Sequence, residues 1–244
     1  MSKKEISPRE QFKKKLEKLC SCRNTHDVWN DLMTACACAI SNSFDAEHFE
    51  MREKEFMEAE KRLGGQEDAA ELFALLMEEI ARNPKQDLLG SLYTEYGLIK
   101  EIKGQFFTPY HVANLMAKIT ATSRKNNSSG YETVTDIACG SGVMLVAAFN
   151  ACSEQGGNPK EDLFFVGQDL DSVAAKMCYI QLSLLGAAGY VCVSNSLTNP
   201  ITGIDVLLPI EQPGQDIWYT PAYNSGIWVS RRKKIIDAMN CITA

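Results

Sequence analysis

The 244-residue sequence lacks a long hydrophobic run, because no apolar stretch approaches the roughly 18 residues that a membrane-spanning helix needs. The first eighteen residues hold seven Lys or Arg, and no apolar stretch follows them as it would in a secretion signal. We therefore expect a protein that neither spans a membrane nor is secreted.

The sequence also lacks cysteines and histidines at the spacing of metal ligands. It has only three histidines, and the two Cys-x-Cys pairs, Cys20/Cys22 and Cys36/Cys38, have no second pair at the distance typical of zinc sites. Nine scattered cysteines are typical of small buried hydrophobic residues in a reducing cytoplasm. The prediction is a cytoplasmic protein without a metal site.

Positive charge is scarce in the second half of the chain. From Tyr131 onward, 6 Lys or Arg stand against 11 Asp or Glu, a net charge of −5 out of −6 for the whole chain. Affinity for DNA comes largely from Lys and Arg, so phosphate contacts would have to come from elsewhere or from the basic run Arg231 to Lys234. That run is equally typical of a solvated helix face.

Hydrophobic periodicity predicts helices over most of residues 8–122. Apolar residues recur at three- and four-residue spacing in Asp27 to Phe44 and in Asp68 to Arg82, which indicates amphipathic helices of a bundle. The charged stretch Glu47 to Arg62 reads as a solvated helix. Gly64-Gly65 and Asn83-Pro84 mark helix ends.

The spacing of the hydrophobic residues changes after residue 130, where short segments rich in β-branched residues alternate with segments of helical periodicity. This alternation predicts an α/β fold with a parallel sheet, and we place a helical domain at residues 1–103 and the α/β domain at 104–244. A further strand is expected at Ile204 to Leu208. The main predicted elements are strands at Glu132 to Ala138, Leu163 to Asp169 and Tyr190 to Ser194, and helices at Val143 to Gln155 and Ser172 to Ala188.

The first strand runs into the turn Asp136-Ile137-Ala138-Cys139-Gly140-Ser141-Gly142. A dinucleotide site would have a third glycine where Leu145 stands, so that class is excluded. An acid before the glycines suits a ligand with an ammonium group, such as S-adenosylmethionine (SAM), and Asp169 at the next strand end suits a ribose. The alternative is that these acids only cap the following helices.

Three segments resemble the N6-adenine DNA methyltransferases, most closely the modification subunit of type I restriction–modification systems. They are Gly104-Gln105-Phe106-Phe107-Thr108-Pro109, the Asp136 to Gly142 turn, and Gly167-Gln168-Asp169. The resemblance implies a Rossmann-like SAM-dependent methyltransferase that transfers a methyl group to adenine in DNA. It also implies that SAM is bound by Phe107, Thr108, Pro109, Asp136, Ala138, Cys139, Gly140, Ser141, Gly142 and Asp169, with Asn195 standing where the family has an Asp near the adenine.

One family motif is missing, because the sequence contains no Asn-Pro-Pro-aromatic segment. In the family it accepts the amino hydrogens of the target base and stacks on it. Thr220, Pro221 and Tyr223 are the only weak substitutes and hence the weak catalytic candidates.

Two alternatives stay open: a catalytically silent SAM-binding homologue acting as a partner or regulatory subunit, and a methyltransferase for small molecules or proteins. DNA is the expected partner, through a partner subunit or an oligomer that supplies target recognition.

Overall fold

The computed structural model describes residues 6–99, 107–121 and 130–243. Gly104, Gln105 and Phe106, together with the predicted domain boundary at 103/104, lie outside the described residues. The helices of the first part are α1 (Pro8–Cys20), α2 (Thr25–Ser41), α3 (Phe49–Leu63), α4 (Gln66–Arg82), α5 (Leu88–Glu95) and α6 (Tyr110–Ala121).

The predicted helical bundle is confirmed, and local sequence explains its helix ends. The side chain of Asn24 accepts hydrogen bonds from the backbone N–H groups of His26 and Asp27 and so caps α2. Gly64 adopts φ +101°, a left-handed conformation that ends α3 at the predicted Gly-Gly break. The core of these helices includes Phe12 and Trp29, both fully buried.

The charged stretch predicted as a solvated helix is indeed helical, but one of its charges is not solvated. Arg52 of α3 is fully buried. Its guanidinium donates to Asp45 Oδ2 at 2.6 Å and to the carbonyl of Ile217 at 2.6 Å, and lies over the ring of Trp218. A partner 165 residues away cannot be read from helical periodicity, which is why the prediction missed this contact.

The second part is the predicted α/β fold. Its elements are β1 (Glu132–Asp136), α7 (Val143–Glu154), α8 (Pro159–Asp162), β2 (Leu163–Asp169), α9 (Ser172–Leu185), β3 (Ala188–Val193), β4 (Thr202–Asp205), β5 (Leu208–Ile210), β6 (Asp216–Tyr219), a 3-10 helix (Pro221–Asn224) and α10 (Gly226–Thr243).

The main sheet has the order β1-β2-β3-β6. The first three strands are parallel, with Asp136 opposite Gly167, and β6 runs antiparallel to β3, with Trp218 opposite Val191. Helices α7 and α9 pack on one face, and Trp228 of α10 packs on Phe164 of the other. A continuous core joins the helical part to the sheet, running from Phe12 through α9 to Trp218.

The strand expected at Ile204 to Leu208 does not join this sheet. The chain instead forms a separate hairpin, in which β4 and β5 pair antiparallel around Val206 and Leu207. The carbonyls of Val206 and Leu207 accept hydrogen bonds from the hydroxyls of Tyr190 and Tyr223, which hold the hairpin against the sheet. The sequence prediction also missed β6 and the length of α10.

Two observations bear on the predicted class of protein. In the described part of the chain, no helix combines the length and the apolar character that crossing a membrane requires. All nine cysteines are free thiols and six of them are buried.

Candidate cofactor-binding site

The site is built at one edge of the sheet. Because β1 and β2 are parallel neighbours, their carboxyl ends meet there, and Asp136 and Asp169 are the last residues of the two strands. Oδ1 of Asp136 accepts a hydrogen bond from the backbone N–H of Ala138 at 3.1 Å, which folds the chain into the turn. In open α/β sheets this edge is where ligands bind.

Two glycines shape the turn by close approach. Gly140 and Gly142 adopt φ +54° and +91°, conformations that favour glycine. A Cβ on Gly140 would lie 2.8 Å from Cε1 of Phe107, and one on Gly142 would lie 2.7 Å from Sγ of Cys178 on α9. The turn is therefore held between the ring of Phe107 and α9, and neither glycine position has room for a side chain.

Asp169 connects the turn to the loop after β2. Its Oδ2 accepts a hydrogen bond from the N–H of Gly140 and its Oδ1 accepts one from the N–H of Asp171, both at 2.8 Å. Burial raises the pKa of Asp169, and these backbone donors oppose that rise. Each carboxylate oxygen keeps a second lone pair, so Asp169 can also accept two hydroxyl hydrogens from a ligand.

The charge of the site is negative. Within the described residues, neither Asp136 nor Asp169 forms an ion pair with Lys, Arg or His. The negative charges of Asp171 and Asp136 further raise the pKa of Asp169. A ligand that brings positive charge would relieve this repulsion.

Of the other predicted residues, Phe107 lies against the turn, and Asn195 follows β3 at the same edge of the sheet. Phe107 makes an edge-to-face contact with the buried Tyr93, with ring centroids 5.6 Å apart, and Thr108 and Pro109 lead into α6. Asn195 follows β3, where its Oδ1 accepts hydrogen bonds from the N–H groups of Leu197 and Thr198.

Exposed apolar side chains follow each of the three parallel strands. They are Ile137 after β1, Leu170 after β2 and Leu197 after β3. Their positions place an apolar rim beside the acids, and such a rim suits the flat face of a base. Sequence reasoning did not single out these residues.

Sequence reasoning also missed the buried support beneath the turn. The carboxylate of Asp87 accepts hydrogen bonds from the Ser141 hydroxyl at 2.6 Å, from Gln181 Nε2 at 2.8 Å and from the N–H of Gly90 at 2.9 Å. Gln181 Nε2 also donates to the carbonyl of Ser141 at 2.8 Å. The turn is thereby fixed to α5 and α9. The capping position of Asp87 before α5 is a signal in the sequence, but Gln181 gives none.

The weak catalytic candidates lie elsewhere. Because β6 is antiparallel to β3, Thr220, Pro221 and Tyr223 follow it at the amino ends of the parallel strands, at the edge opposite the turn. Thr220 is buried and bonds both backbone groups of Gly189, and the Tyr223 hydroxyl donates to the carbonyl of Leu207. The structure does not bring these weak candidates to the turn, so the idea that they replace the missing motif is corrected. Thr220 and Tyr223 instead hold neighbouring backbone segments together.

The fold and the acidic turn define the class of a SAM-dependent methyltransferase. The family model for N-6 DNA methylases matches residues 85–239, and the chain belongs to that family. The resemblance inferred from the motifs is thus confirmed, and SAM is the methyl donor of this class.

Two individual proteins are similar to parts of the chain. The type II restriction enzyme and methyltransferase RM.BcgI of Heyndrickxia coagulans is 32% identical over 97 residues, which are 38% of this chain and 14% of that protein. A solved structure from Listeria monocytogenes, described as a class I S-adenosylmethionine-dependent methyltransferase, is 13% identical with a TM-score of 0.40. The alignment covers 86% of this chain and 79% of the Listeria chain.

The residues of the edge fit SAM. SAM carries a positive sulfonium and an ammonium group, and the acids at the strand ends have no cationic partner within the described chain. The ring of Phe107 lies over Gly140 and bounds one side of this edge with an aromatic surface. When bound, SAM supplies an electrophilic methyl group.

Proposed function

We propose that this chain binds SAM at the carboxyl edge of β1 and β2 and forms the methyl-donor side of an adenine-N6 DNA methyltransferase. One observation carries the proposal: two acids without a cationic partner end neighbouring parallel strands on either side of a glycine turn. Acids that served only to cap helices would not need the backbone of Gly140 to be brought against Asp169. The family supports DNA as the substrate.

Each residue of the edge has a role in this proposal. Asp136 faces the positive methionine end, where Phe107 and Thr108 close the site above Gly140. Asp169 accepts the two ribose hydroxyl hydrogens, while Leu170 and Leu197 contact the adenine together with Asn195. Asp87 keeps the turn in its binding conformation through the Ser141 hydroxyl.

The acceptor side of the reaction needs further groups. The lone pair of an exocyclic amine is delocalised into the ring, so hydrogen-bond acceptors must hold the amino hydrogens while the base is flipped out. Losing one such preorganised hydrogen bond commonly costs about 10²–10³ in rate. Because Asn-Pro-Pro-aromatic is missing and Thr220 lies at the opposite edge, we propose that the chain alone is a slow catalyst.

A methyl-transfer assay tests this function. The chain is incubated with methyl-labelled SAM and mixed-sequence DNA, and the DNA is digested to nucleosides. We expect bound SAM and only trace product, all of it N6-methyladenine. Robust transfer by the chain alone contradicts the donor-side proposal, and label in cytosine contradicts the adenine assignment.

The silent partner subunit is the second candidate, and the missing motif favours it. It predicts bound SAM with no label in DNA at any enzyme concentration. Label in added small molecules or protein, with none in DNA, would instead support the remaining alternative. The same assay therefore separates all three functions.

A further inference from the structure

We propose that the hydroxyl of Tyr93 on α5 binds SAM by donating a hydrogen bond to its carboxylate. The inference rests on the proposed function and deepens it, because it names a residue that recognises the amino-acid end of the ligand. Tyr93 is only 1% exposed, and within the described residues its hydroxyl has no hydrogen-bond partner. A buried hydroxyl without a partner is unfavourable, and a ligand that supplies an acceptor removes this cost.

Helix α5 brings Tyr93 to the candidate site. The helix lies against the glycine turn at Gly90, where a Cβ would be 2.4 Å from Oγ of Ser141. Tyr93 is three residues further along and therefore lies on the same face of α5 as Gly90. Its ring packs edge-to-face on Phe107, with ring centroids 5.6 Å apart, and Phe107 in turn covers Gly140. Tyr93 and the turn thus contact the same aromatic ring.

The hydroxyl end of Tyr93 is also near the loop after β2. Burial raises the pKa of the Tyr93 hydroxyl to about 12, and the negative charge of Asp171 adds to this rise. Asp171 stands two residues after Asp169, the acid that we assign to the ribose. At neutral pH the hydroxyl therefore keeps its proton and can donate a hydrogen bond beside the proposed ligand.

The amino-acid end of SAM carries two opposite charges. Its ammonium group matches Asp136, but its carboxylate would be repelled by Asp136, Asp169 and Asp171 unless a donor binds it. A hydrogen bond from a hydroxyl to a carboxylate is charge-assisted and hence stronger than a bond between neutral groups. An acidic site for SAM therefore needs a donor close to its acids, and Tyr93 meets that need.

Two other hydroxyls near the turn are less suited to this task. The hydroxyl of Ser141 already donates to Asp87 at 2.6 Å. Thr108 is half-buried, so water can satisfy its hydroxyl in the free protein, and exchanging that water for a ligand gains less. The Tyr93 hydroxyl gives up no partner among the described residues when it bonds a ligand, so the new bond favours binding.

Calorimetric titration of the full chain with two ligands tests the proposal. The ligands are SAM and decarboxylated SAM, which keeps the sulfonium, the ammonium group and the adenosine but lacks the carboxylate. Tyr93→Phe keeps the ring and removes the hydroxyl. The matched control is Tyr96→Phe at the end of the same helix, because the Tyr96 hydroxyl donates to the carbonyl of Lys13 at 3.4 Å. Thermal unfolding of the same samples confirms that the variants are folded.

We expect Tyr93→Phe to weaken SAM binding about tenfold or more, because a charge-assisted hydrogen bond is lost. The same variant should bind decarboxylated SAM as tightly as the wild type does, since that ligand has no carboxylate for the hydroxyl to bond. Tyr96→Phe should bind both ligands like the wild type. A loss confined to the ligand with a carboxylate distinguishes a ligand contact from a structural role of the hydroxyl.

The wild-type affinity for SAM keeps this inference separate from the proposed function. If the wild type and Tyr93→Phe bind SAM equally well, the carboxylate contact is overturned and the proposed function stands. An equal loss of affinity for both ligands also overturns the contact, because the hydroxyl would then act on the shape of the site. A wild-type chain that binds no SAM overturns the proposed function and this inference together.

Discussion

Gly140 lies beneath the ring of Phe107 and adopts a positive φ, so the candidate site accepts little added volume at this residue. We expect Gly140→Ala to weaken SAM binding about tenfold or more, because its Cβ must displace Phe107. The left-handed backbone should also cost about 1–2 kcal/mol of stability. Calorimetric titration and urea unfolding measure the two effects.

Gly156 provides the matched control for backbone strain. It also has a positive φ, +84°, but a Cβ there would meet nothing within 4 Å. Gly156→Ala should therefore lose similar stability and keep its SAM affinity. An equal loss of SAM affinity in the two variants would show that the contact with Phe107 does not matter for binding.

Asp87 gives a prediction about pH. Burial raises the pKa of this carboxyl above its ordinary 3.8, against the opposing hydrogen bonds from Ser141 and Gln181. The folded protein therefore holds the proton to a higher pH than the unfolded chain does. Relative to Asp87→Asn, which cannot ionise, the wild-type free energy of unfolding should be highest below pH 3.8 and fall as the pH rises through the raised pKa.

Urea unfolding of the two proteins between about pH 3 and pH 7 measures this difference. A difference that stays constant over that range, or grows in favour of the wild type with rising pH, would contradict the assignment of a raised pKa to Asp87.

Single residues differ in how far sequence can predict their roles. The position of Asp136 and Asp169 at one edge of the sheet was predictable because each ends a strand, and parallel strands bring such residues together. The bond from Ser141 to Asp87 spans 54 residues and the bond from Gln181 to Asp87 spans 94. No local pattern encodes those separations, so this support emerges only from tertiary packing.

At the scale of elements, the buried Arg52 of α3 attaches the helical part to β6. Arg52→Ala should lower the free energy of unfolding by about 3–5 kcal/mol, because it leaves the buried Asp45 without its main cation and the Ile217 carbonyl without its donor. The exposed Lys54 on the same helix is the control, and Lys54→Ala should change stability by less than about 0.5 kcal/mol. Similar losses in the two variants would mean that the Arg52 contacts contribute little.

Strands and helices with a clear pattern of hydrophobic residues could be predicted from the sequence, and very short strands could not. Strand β2 is buried on both faces and lies at the predicted residues, Leu163–Asp169. The β4–β5 hairpin has strands of four and three residues, too short for a period to be recognised. Its position depends on the hydroxyls of Tyr190 and Tyr223, which are contacts of the folded molecule.

At the scale of the whole molecule, the candidate SAM site lies at the carboxyl ends of β1 and β2 in a sheet of order β1-β2-β3-β6. The alternation of strands and helices was sufficient to predict the α/β class, and the motifs were sufficient to predict the family. They could not predict that the chain after β3 turns back as β6 on the far side of β3, because strand order depends on packing across the entire sheet.

We propose that Asp169 at the end of β2 binds the ribose of SAM. Calorimetric titration of SAM into the wild type, Asp169→Ala and the exposed control Asp237→Ala tests it most directly, with thermal unfolding confirming that each variant is folded. We predict that Asp169→Ala weakens binding ten- to a hundredfold, through the loss of charge-assisted hydrogen bonds worth about 1.5–3 kcal/mol, and that Asp237→Ala binds like the wild type. Equal SAM affinity in the wild type and a folded Asp169→Ala protein would show that Asp169 does not bind the ribose.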